Sequence, residues 1–169
     1  TNEHYNMKNF KINLIFLILP ILLFGCGFAP MYKNLKNVDF VISIKDMSGD
    51  RDVNNLIKSQ FKSYLLDEED EDYNKKKNYK NYNIIIKSEY GKIITAKDTT
   101  GAATNYKILI KTTFTVTAIN FEEKFIYSEN FNMQSFSDKF EERDYEQNIK
   151  NNLTNIITRK LILQLFQIK

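Results

Sequence analysis

The sequence predicts an α+β domain in which a four-stranded sheet carries two helices on one face, in the order strand, helix, strand, strand, strand, helix. Apolar residues alternate with polar residues along four segments, as they do in half-buried strands. Two other segments carry apolar residues three and four positions apart, as amphipathic helices do. A chain of 169 residues with 43% hydrophobic residues is long and apolar enough to form one such domain.

The first strand and the first helix are predicted between residues 38 and 65. Apolar residues stand at every second position of the strand: Val38, Phe40, Ile42 and Ile44. Ser48-Gly49-Asp50 then provides a turn and an N-cap, because an aspartate side chain accepts hydrogen bonds from the amides of a first helical turn. The helix that follows has one apolar stripe: Val53, Leu56, Ile57, Phe61, Tyr64 and Leu65.

A charged block separates this helix from the rest of the domain. An unbroken acidic run from Asp67 to Asp72 precedes a basic group: Lys75, Lys76, Lys77 and Lys80. Such a block is typical of a solvated loop. A calcium site and a docking segment for a partner are the alternatives, although the block lacks the spaced ligands and the glycine of an EF-hand loop.

Three further strands are predicted downstream. The first has apolar residues at alternate positions and continues through Ile94: Tyr82, Ile84, Ile86 and Tyr90. A turn at residues 98–104 leads to the second, which has an apolar face: Tyr106, Ile108, Ile110, Phe114, Val116 and Ala118. Its other face is polar: Lys107, Lys111, Thr113, Thr115 and Thr117. After a turn around Glu122-Glu123, the last strand has one apolar face: Phe125, Tyr127, Phe131 and Met133.

A long helix is predicted from about Glu142 to Gln167. Its apolar residues lie three or four positions apart: Tyr145, Ile149, Leu153, Ile156, Ile157, Leu161 and Leu165. Because each helix has one apolar stripe and the sheet has one apolar face, packing both helices on that face buries all of these residues.

The N-terminal segment is predicted to be a lipoprotein signal peptide. Lys8 and Lys11 follow Met7, which resembles a translation start, so residues 1–6 are expected to be a non-native extension. The apolar run from Leu14 to Phe24 is roughly half as long as a bilayer-spanning helix, and a short membrane anchor is the alternative. The chain thus divides into the extension (1–6), the signal peptide (7–25), a lipidated tether (26–37) and the domain (38–169).

The end of the apolar run, Leu23-Phe24-Gly25-Cys26, resembles the bacterial lipobox, which is cleaved here between Gly25 and Cys26. A thiol is needed at this point because its sulfur takes a diacylglyceryl group, after which the freed amine takes a fatty acyl group such as palmitate. Two or three acyl chains anchor a protein firmly, since each buried CH₂ contributes about 0.8 kcal/mol. Gly27 replaces the aspartate that retains lipoproteins in the inner membrane, which favours the outer membrane of a Gram-negative cell. A buried cysteine without modification is the alternative.

The composition leaves few groups for catalysis. His4 is the only histidine and Cys26 the only cysteine, which argues against a disulfide, a zinc site and a Cys/His catalytic pair. Acidic residues near the last helix are attributed to its dipole: Asp138, Glu141, Glu142, Asp144 and Glu146. The net charge of +3 is too small to suggest a nucleic-acid partner. We therefore expect no enzyme activity, no metal ion and no cofactor beyond the covalent lipid anchor, with an enzyme that uses an acidic site as the alternative.

The start of the mature chain, Cys26-Gly27-Phe28-Ala29-Pro30-Met31-Tyr32, resembles that of the LPS-assembly lipoprotein LptE family, in which Cys-Gly-Phe-x-Pro-Leu-Tyr is typical. Residues 94–98 and 103–106 are similar to the central hairpin of that family, and residues 143–146 resemble the start of its long last helix. The resemblance covers the mature chain, and it is specific at the start and diffuse elsewhere. The family also has the strand–helix–three strands–helix architecture.

The resemblance implies an outer-membrane lipoprotein that plugs the LptD barrel and takes part in lipopolysaccharide assembly. Lys97 and Arg143 best match the basic residues that contact lipopolysaccharide phosphates in the family, with Lys107 and Lys111 as a second choice. The alternative function is that of a periplasmic accessory lipoprotein of a lipid transport system.

Overall fold

Four strands form one mixed sheet in the computed structural model, which describes residues 40–65 and 79–168. The elements are β1 (Phe40–Gly49), α1 (Arg51–Phe61), β2 (Lys80–Lys97), β3 (Ala103–Ala118), β4 (Phe121–Gln134) and α2 (Lys139–Gln167). The strands lie in the order β1-β2-β3-β4, with β1 parallel to β2 and the other neighbours antiparallel. The predicted fold class and element order are confirmed.

The turn between β1 and α1 requires a glycine and a helix cap. Gly49 has a φ of +95°, and a Cβ placed there would lie 1.8 Å from the Ser88 carbonyl oxygen of β2. The Asp50 amide donates to that same oxygen at 3.1 Å, and the Asp50 carboxylate caps α1 by accepting from the Val53 amide at 2.9 Å. Behind the turn, the Ser88 hydroxyl donates to the Asn54 side chain at 2.8 Å. The predicted N-cap is confirmed, and β2 fixes where α1 begins.

The two faces of the sheet differ in polarity, as β3 shows most clearly. The helix-bearing face is apolar and its main side chains are buried: Ile42, Tyr82, Ile84, Ile86, Ile108, Ile110, Phe114 and Val116. The other face, which no described helix covers, is called the polar face below. It carries exposed or half-buried residues of β3: Lys107, Lys111, Thr113, Thr115 and Thr117. The predicted two-sided strand is confirmed, with buried Thr112 as the exception on the apolar side.

Helix α2 is longer than predicted, and two of its predicted core residues are exposed. It begins at Lys139 rather than near Glu142, because Asp138 caps it. Its buried apolar positions recur mainly every four residues: Ile149, Leu153, Ile157, Leu161 and Leu165. A row of positions four apart is inclined to the helix axis, so the contact face turns gradually around α2. The predicted placement of Tyr145 and Ile156 in the core is therefore wrong, since their exposed fractions are 39% and 42%.

Several element boundaries also differ from the prediction. Helix α1 ends at Phe61, and a 3-10 turn from Lys62 to Tyr64 follows it, so Tyr64 and Leu65 lie outside the helix. Glu122 and Glu123 belong to β4, since the turn lies at residues 119–120, where Asn120 has a φ of 59°. Lys80 begins β2 instead of ending a loop. Residues 67–78 of the predicted charged loop, the tether and the predicted strand residue Val38 lie outside the described residues.

Candidate functional site

The β2–β3 hairpin and the start of α2 lie at the same end of the sheet. Lys97 is the last residue of β2, and Asn105 near the start of β3 pairs with the end of β4. The Ser135 amide donates to the Thr104 carbonyl oxygen at 2.8 Å, so the chain leaves β4 beside the hairpin and then enters α2. The structure therefore brings Lys97 and Arg143 to one end of the domain, where both side chains are exposed.

One aspartate organises the turn that follows Lys97. The Asp98 carboxylate accepts hydrogen bonds from the Thr100 hydroxyl at 2.6 Å, the Thr100 amide at 2.8 Å and the Ala102 amide at 3.0 Å. The hydrogen bond from the Thr100 hydroxyl is the main reason that the pKa of Asp98 lies below its ordinary value. Gly101 takes a φ of +89° in open space. The ionised Asp98 carboxylate thus holds the turn beyond Lys97 in one conformation.

Arg143 lies one turn into α2 and points into solvent. Among the described residues, its Nε donates a hydrogen bond to the Lys139 carbonyl oxygen at 3.3 Å. A guanidinium has five N–H donors in a planar fork, so most of them are left for an anion. Planar, bidentate hydrogen bonding to phosphate is the recognition that arginine favours.

Behind Arg143, a cluster of charged residues connects α2 to β2. The Lys92 ammonium donates to the Glu142 carboxylate at 2.9 Å and to the Glu146 carboxylate at 2.8 Å. The Tyr90 hydroxyl donates to Glu146 at 2.6 Å. The Lys150 ammonium lies 3.6 Å from the Glu146 carboxylate and 4.2 Å from the centre of the Tyr90 ring. These five residues are called the Lys92 cluster below.

The environment of the Lys92 cluster keeps its carboxylates ionised. Burial by itself would raise the pKa of Glu142, but hydrogen bonds from Lys139, Lys92, the Phe136 amide and Ser135 lower it to about 2. Burial likewise opposes the lowering of the Glu146 pKa, which Lys92 and Tyr90 produce. Burial and the hydrogen bond to Glu146 raise the pKa of Tyr90. At neutral pH the ionised Glu142 and Glu146 carboxylates therefore anchor α2 to Lys92 of β2.

The second pair of predicted basic residues lies elsewhere. Lys107 and Lys111 project from the polar face of β3, opposite Ile93 and Glu89 of β2. Because α2 packs on the other face, Lys107 and Lys111 do not share a site with Arg143. The structure thus supports two separate basic regions instead of one.

The sequence pattern alone does not predict the Lys92 cluster. The helix dipole does not fully account for Glu142 and Glu146, since both form ion pairs with Lys92. One signal was present in the sequence, since Lys92 stands in phase with the apolar positions Tyr90 and Ile94 of β2. A lysine on the apolar face of a strand needs a charged partner from the opposing layer.

Cys26 and Gly25, the predicted lipid-attachment and cleavage residues, lie outside the described residues. Within residues 40–65 and 79–168, no three or more acidic, histidine or cysteine side chains are grouped so that they could hold a metal ion. In the same ranges, no helix combines the length and the apolar character needed to cross a bilayer.

Comparisons with known proteins show the fold. No family model and no curated protein matches the sequence. The crystal structure of rare lipoprotein B from Shewanella oneidensis has a TM-score of 0.50 and 10% identity, covering 72% of this chain and 94% of that chain. The minor lipoprotein from Acinetobacter baumannii has a TM-score of 0.43 and 13% identity, covering 69% and 91%. Lipoprotein B from Nitrosomonas europaea has a TM-score of 0.47 and 8% identity, covering 76% and 83%. At such identities these likenesses concern the fold alone, and the structurally similar proteins are bacterial lipoproteins.

Proposed function

We propose that this chain is an outer-membrane lipoprotein, lipidated at Cys26, which partners the LptD barrel and takes part in lipopolysaccharide assembly. The observation that carries the proposal is the lipobox at residues 23–26 followed directly by the Gly27-Phe28-Ala29-Pro30-Met31-Tyr32 stretch. The domain behind it has the architecture that the resemblance implies, in the order strand, helix, three strands, helix.

The polar face of the sheet supports a partner with a wet surface. Threonine and lysine side chains of β3 lie opposite mainly polar residues of β4 on this face, as in the pairs Lys111–Ser128 and Thr115–Lys124, while Ile126 is apolar. The lumen of an outer-membrane barrel is polar and hydrated, so hydroxyl and ammonium groups can hydrogen-bond to it directly or through water. A sheet face with only apolar side chains could not form these hydrogen bonds.

The hairpin end of the domain supports a lipopolysaccharide contact. Lys97 and Arg143 supply cations there, while Ile94 and Phe140 at the same end are exposed apolar side chains. An amphiphile with phosphates and acyl chains matches this mixture, because the phosphates bind the cations and the chains cover the apolar residues. Lys107 and Lys111 of the polar face are the second candidate contact.

The lipid anchor is tested by intact mass spectrometry of the membrane-extracted protein. We expect loss of residues 1–25 and added acyl mass on Cys26, and we expect the variant Cys26→Ser to leave an uncleaved or soluble precursor. An unmodified, full-length wild-type chain in the membrane would contradict the anchor.

The partner is tested by isolating a tagged copy from membranes. We expect a large outer-membrane barrel to co-purify. We also expect depletion of the chain to lower the amount of assembled LptD and to raise envelope permeability. Repeated isolation of an inner-membrane transporter without a barrel would instead favour an accessory lipoprotein of a lipid transport system.

The lipopolysaccharide contact is tested by matched double variants. Lys97→Gln with Arg143→Gln should weaken binding to purified lipopolysaccharide more than Lys107→Gln with Lys111→Gln, since both variants lose the same charge. The reverse ranking would move the contact to the polar face.

A further inference from the structure

The Glu142 carboxylate joins three segments at the hairpin end: β2, the start of α2, and residues 135–138 between β4 and α2, called the connector below. Its Oε1 accepts a hydrogen bond from the Lys92 ammonium of β2 at 2.9 Å. Its Oε2 accepts from Lys139 of α2 at 2.9 Å, and from the Ser135 hydroxyl and the Phe136 amide of the connector at 3.1 Å each. Glu142 is only 5% exposed, so both oxygens are used inside the domain.

These hydrogen bonds also connect α2 to both strands of the β2–β3 hairpin. Lys92 and Lys97 lie on the same strand, β2, five residues apart. On the other strand, the Thr104 carbonyl oxygen of β3 accepts a hydrogen bond from the Ser135 amide at 2.8 Å. Glu142 is therefore linked to β2 through Lys92 and to β3 through Ser135.

The position of Arg143 depends on this turn of α2. Arg143 directly follows Glu142, and its Nε donates to the Lys139 carbonyl oxygen of the same turn. The first buried apolar residue of α2, Ile149, lies six residues further along the helix. Because charge-assisted hydrogen bonds have a defined geometry, the bonds of Glu142 set where the start of α2 lies relative to the hairpin.

We propose that Glu142 is a positioning residue for the lipopolysaccharide contact: it fixes Arg143 relative to Lys97, so that the phosphates of one ligand bind both cations. Lipopolysaccharide as the ligand rests on the proposed function. Glu142 itself does not touch the ligand, since it is buried and its oxygens are used by other residues of the domain. A site whose groups are held in place before binding loses less conformational entropy when the ligand binds.

Charge alone predicts the opposite effect of removing Glu142. The variant Glu142→Gln removes a negative charge next to Arg143, so Coulomb attraction by itself would make phosphate binding tighter. Positioning predicts weaker binding, because Oε1 and Oε2 each accept from donors and a glutamine amide replaces one of these acceptors with a donor. The sign of the change in affinity therefore separates the two effects.

The test measures the binding of purified lipopolysaccharide to the full-length chain in mild detergent at fixed ionic strength. Glu142→Gln should raise the Kd about tenfold, as the loss of a charge-assisted hydrogen bond does. Glu141→Gln is the matched control, because Glu141 is exposed and loses the same charge, and its Kd should stay equal or fall. Ser135→Ala removes one hydrogen bond without changing the charge, and it should raise the Kd about two- to fivefold.

The same substitution in a second background distinguishes positioning from general destabilisation. In the double variant Lys97→Gln with Arg143→Gln, adding Glu142→Gln should hardly change the residual Kd, because Glu142 acts through these two cations. An equal loss in both backgrounds would show a merely structural role and overturn the proposal.

Two further outcomes separate the positioning role from the function on which it rests. An unchanged or lower Kd for Glu142→Gln, with weaker binding by the Lys97 and Arg143 double variant, would overturn the positioning role and keep the contact. Wild-type binding that the double variant leaves intact would overturn the contact at the hairpin end and the positioning role together. A wild-type chain that does not bind lipopolysaccharide would overturn the proposed ligand as well.

Discussion

Helix α2 contacts the sheet with charged groups along its first half and with hydrocarbon along its second half. Glu142, Glu146 and Lys150 join the Lys92 cluster, whereas Leu153, Ile157, Leu161 and Leu165 are buried against apolar side chains. The sheet changes in the same direction, since β2 presents Ile84 and Ile86 beneath one half and Tyr90 and Lys92 beneath the other.

The two halves of α2 have different roles: the second half stabilises the packing of α2 on the sheet, and the first half sets its position. Apolar burial is large but non-directional, so the second half supplies most of the free energy that holds α2 on the sheet. Ion pairs with hydrogen bonds have defined geometry, so the first half sets where the start of α2 lies relative to the hairpin end. Arg143 depends on that position, because it lies on the same turn as Glu142.

The largest effect is expected from the apolar half. Leu153→Ala should lower the free energy of unfolding by about 2–5 kcal/mol, through lost burial and the cavity that remains. A domain of this kind is stable by only about 5–15 kcal/mol, so a thermal melt should show the change clearly. Ile156→Ala is the control, because the Ile156 side chain is exposed. Equal losses from the two variants would mean that the contact face of α2 is misplaced.

A smaller effect is expected from the charged half. Lys92→Met keeps the volume of the side chain but leaves Glu142 and Glu146 without a common cation, which should cost about 2 kcal/mol. Lys124→Met is the control, since the Lys124 side chain is exposed and forms no ion pair among the described residues. Urea unfolding measures both. A loss no greater than that of the control would show that the cluster does not hold α2.

The sequence alone predicts those strands and helices whose hydrophobic pattern is local and regular. The apolar face of β3 follows from its sequence pattern, because the period of two runs through Ile108, Ile110, Phe114 and Val116 with Thr112 as the one polar residue among them. Helix α2 was predicted as an element, but Ile156 was assigned to the wrong side. Apolar residues spaced alternately three and four positions apart keep one side of a helix in contact with its neighbour. Helix α2 instead buries mainly every fourth residue, so its contact side turns along its length.

The candidate site could be predicted only in part. Lys97 and Arg143 were identified by resemblance, and their arrival at one end of the domain depends on strand register, which no local pattern contains. The partners of Lys92 lie 50 and 54 residues away in the chain. Pairing across that separation follows from which helix packs on which strand, so the Lys92 cluster needed the structure.

The acid dependence of stability should come mainly from the charged half. The pKa of Glu142 is about 2 in the folded chain and near 4.5 in the unfolded chain. Its contribution is therefore complete above pH 4.5 and is lost as the pH falls toward 2, because the unfolded chain takes up the proton first. Glu142→Gln should flatten the melting temperature across this window, whereas Glu141→Gln, an exposed neighbour, should not. An unchanged profile for Glu142→Gln would contradict this assignment.

The smallest effect is expected from the basic residues at the hairpin end. Lys97→Gln and Arg143→Gln should each change the free energy of unfolding by less than about 0.5 kcal/mol, as exposed substitutions usually do. Arg143 lies beside Glu142 in the chain, yet its described contact is one hydrogen bond to the Lys139 carbonyl oxygen, so little stability is at stake. Thermal melts of both variants against wild type measure this. A shift as large as that of Lys92→Met would place Arg143 inside the ionic anchor, whereas a neutral result leaves its guanidinium free to bind an anion from outside the domain.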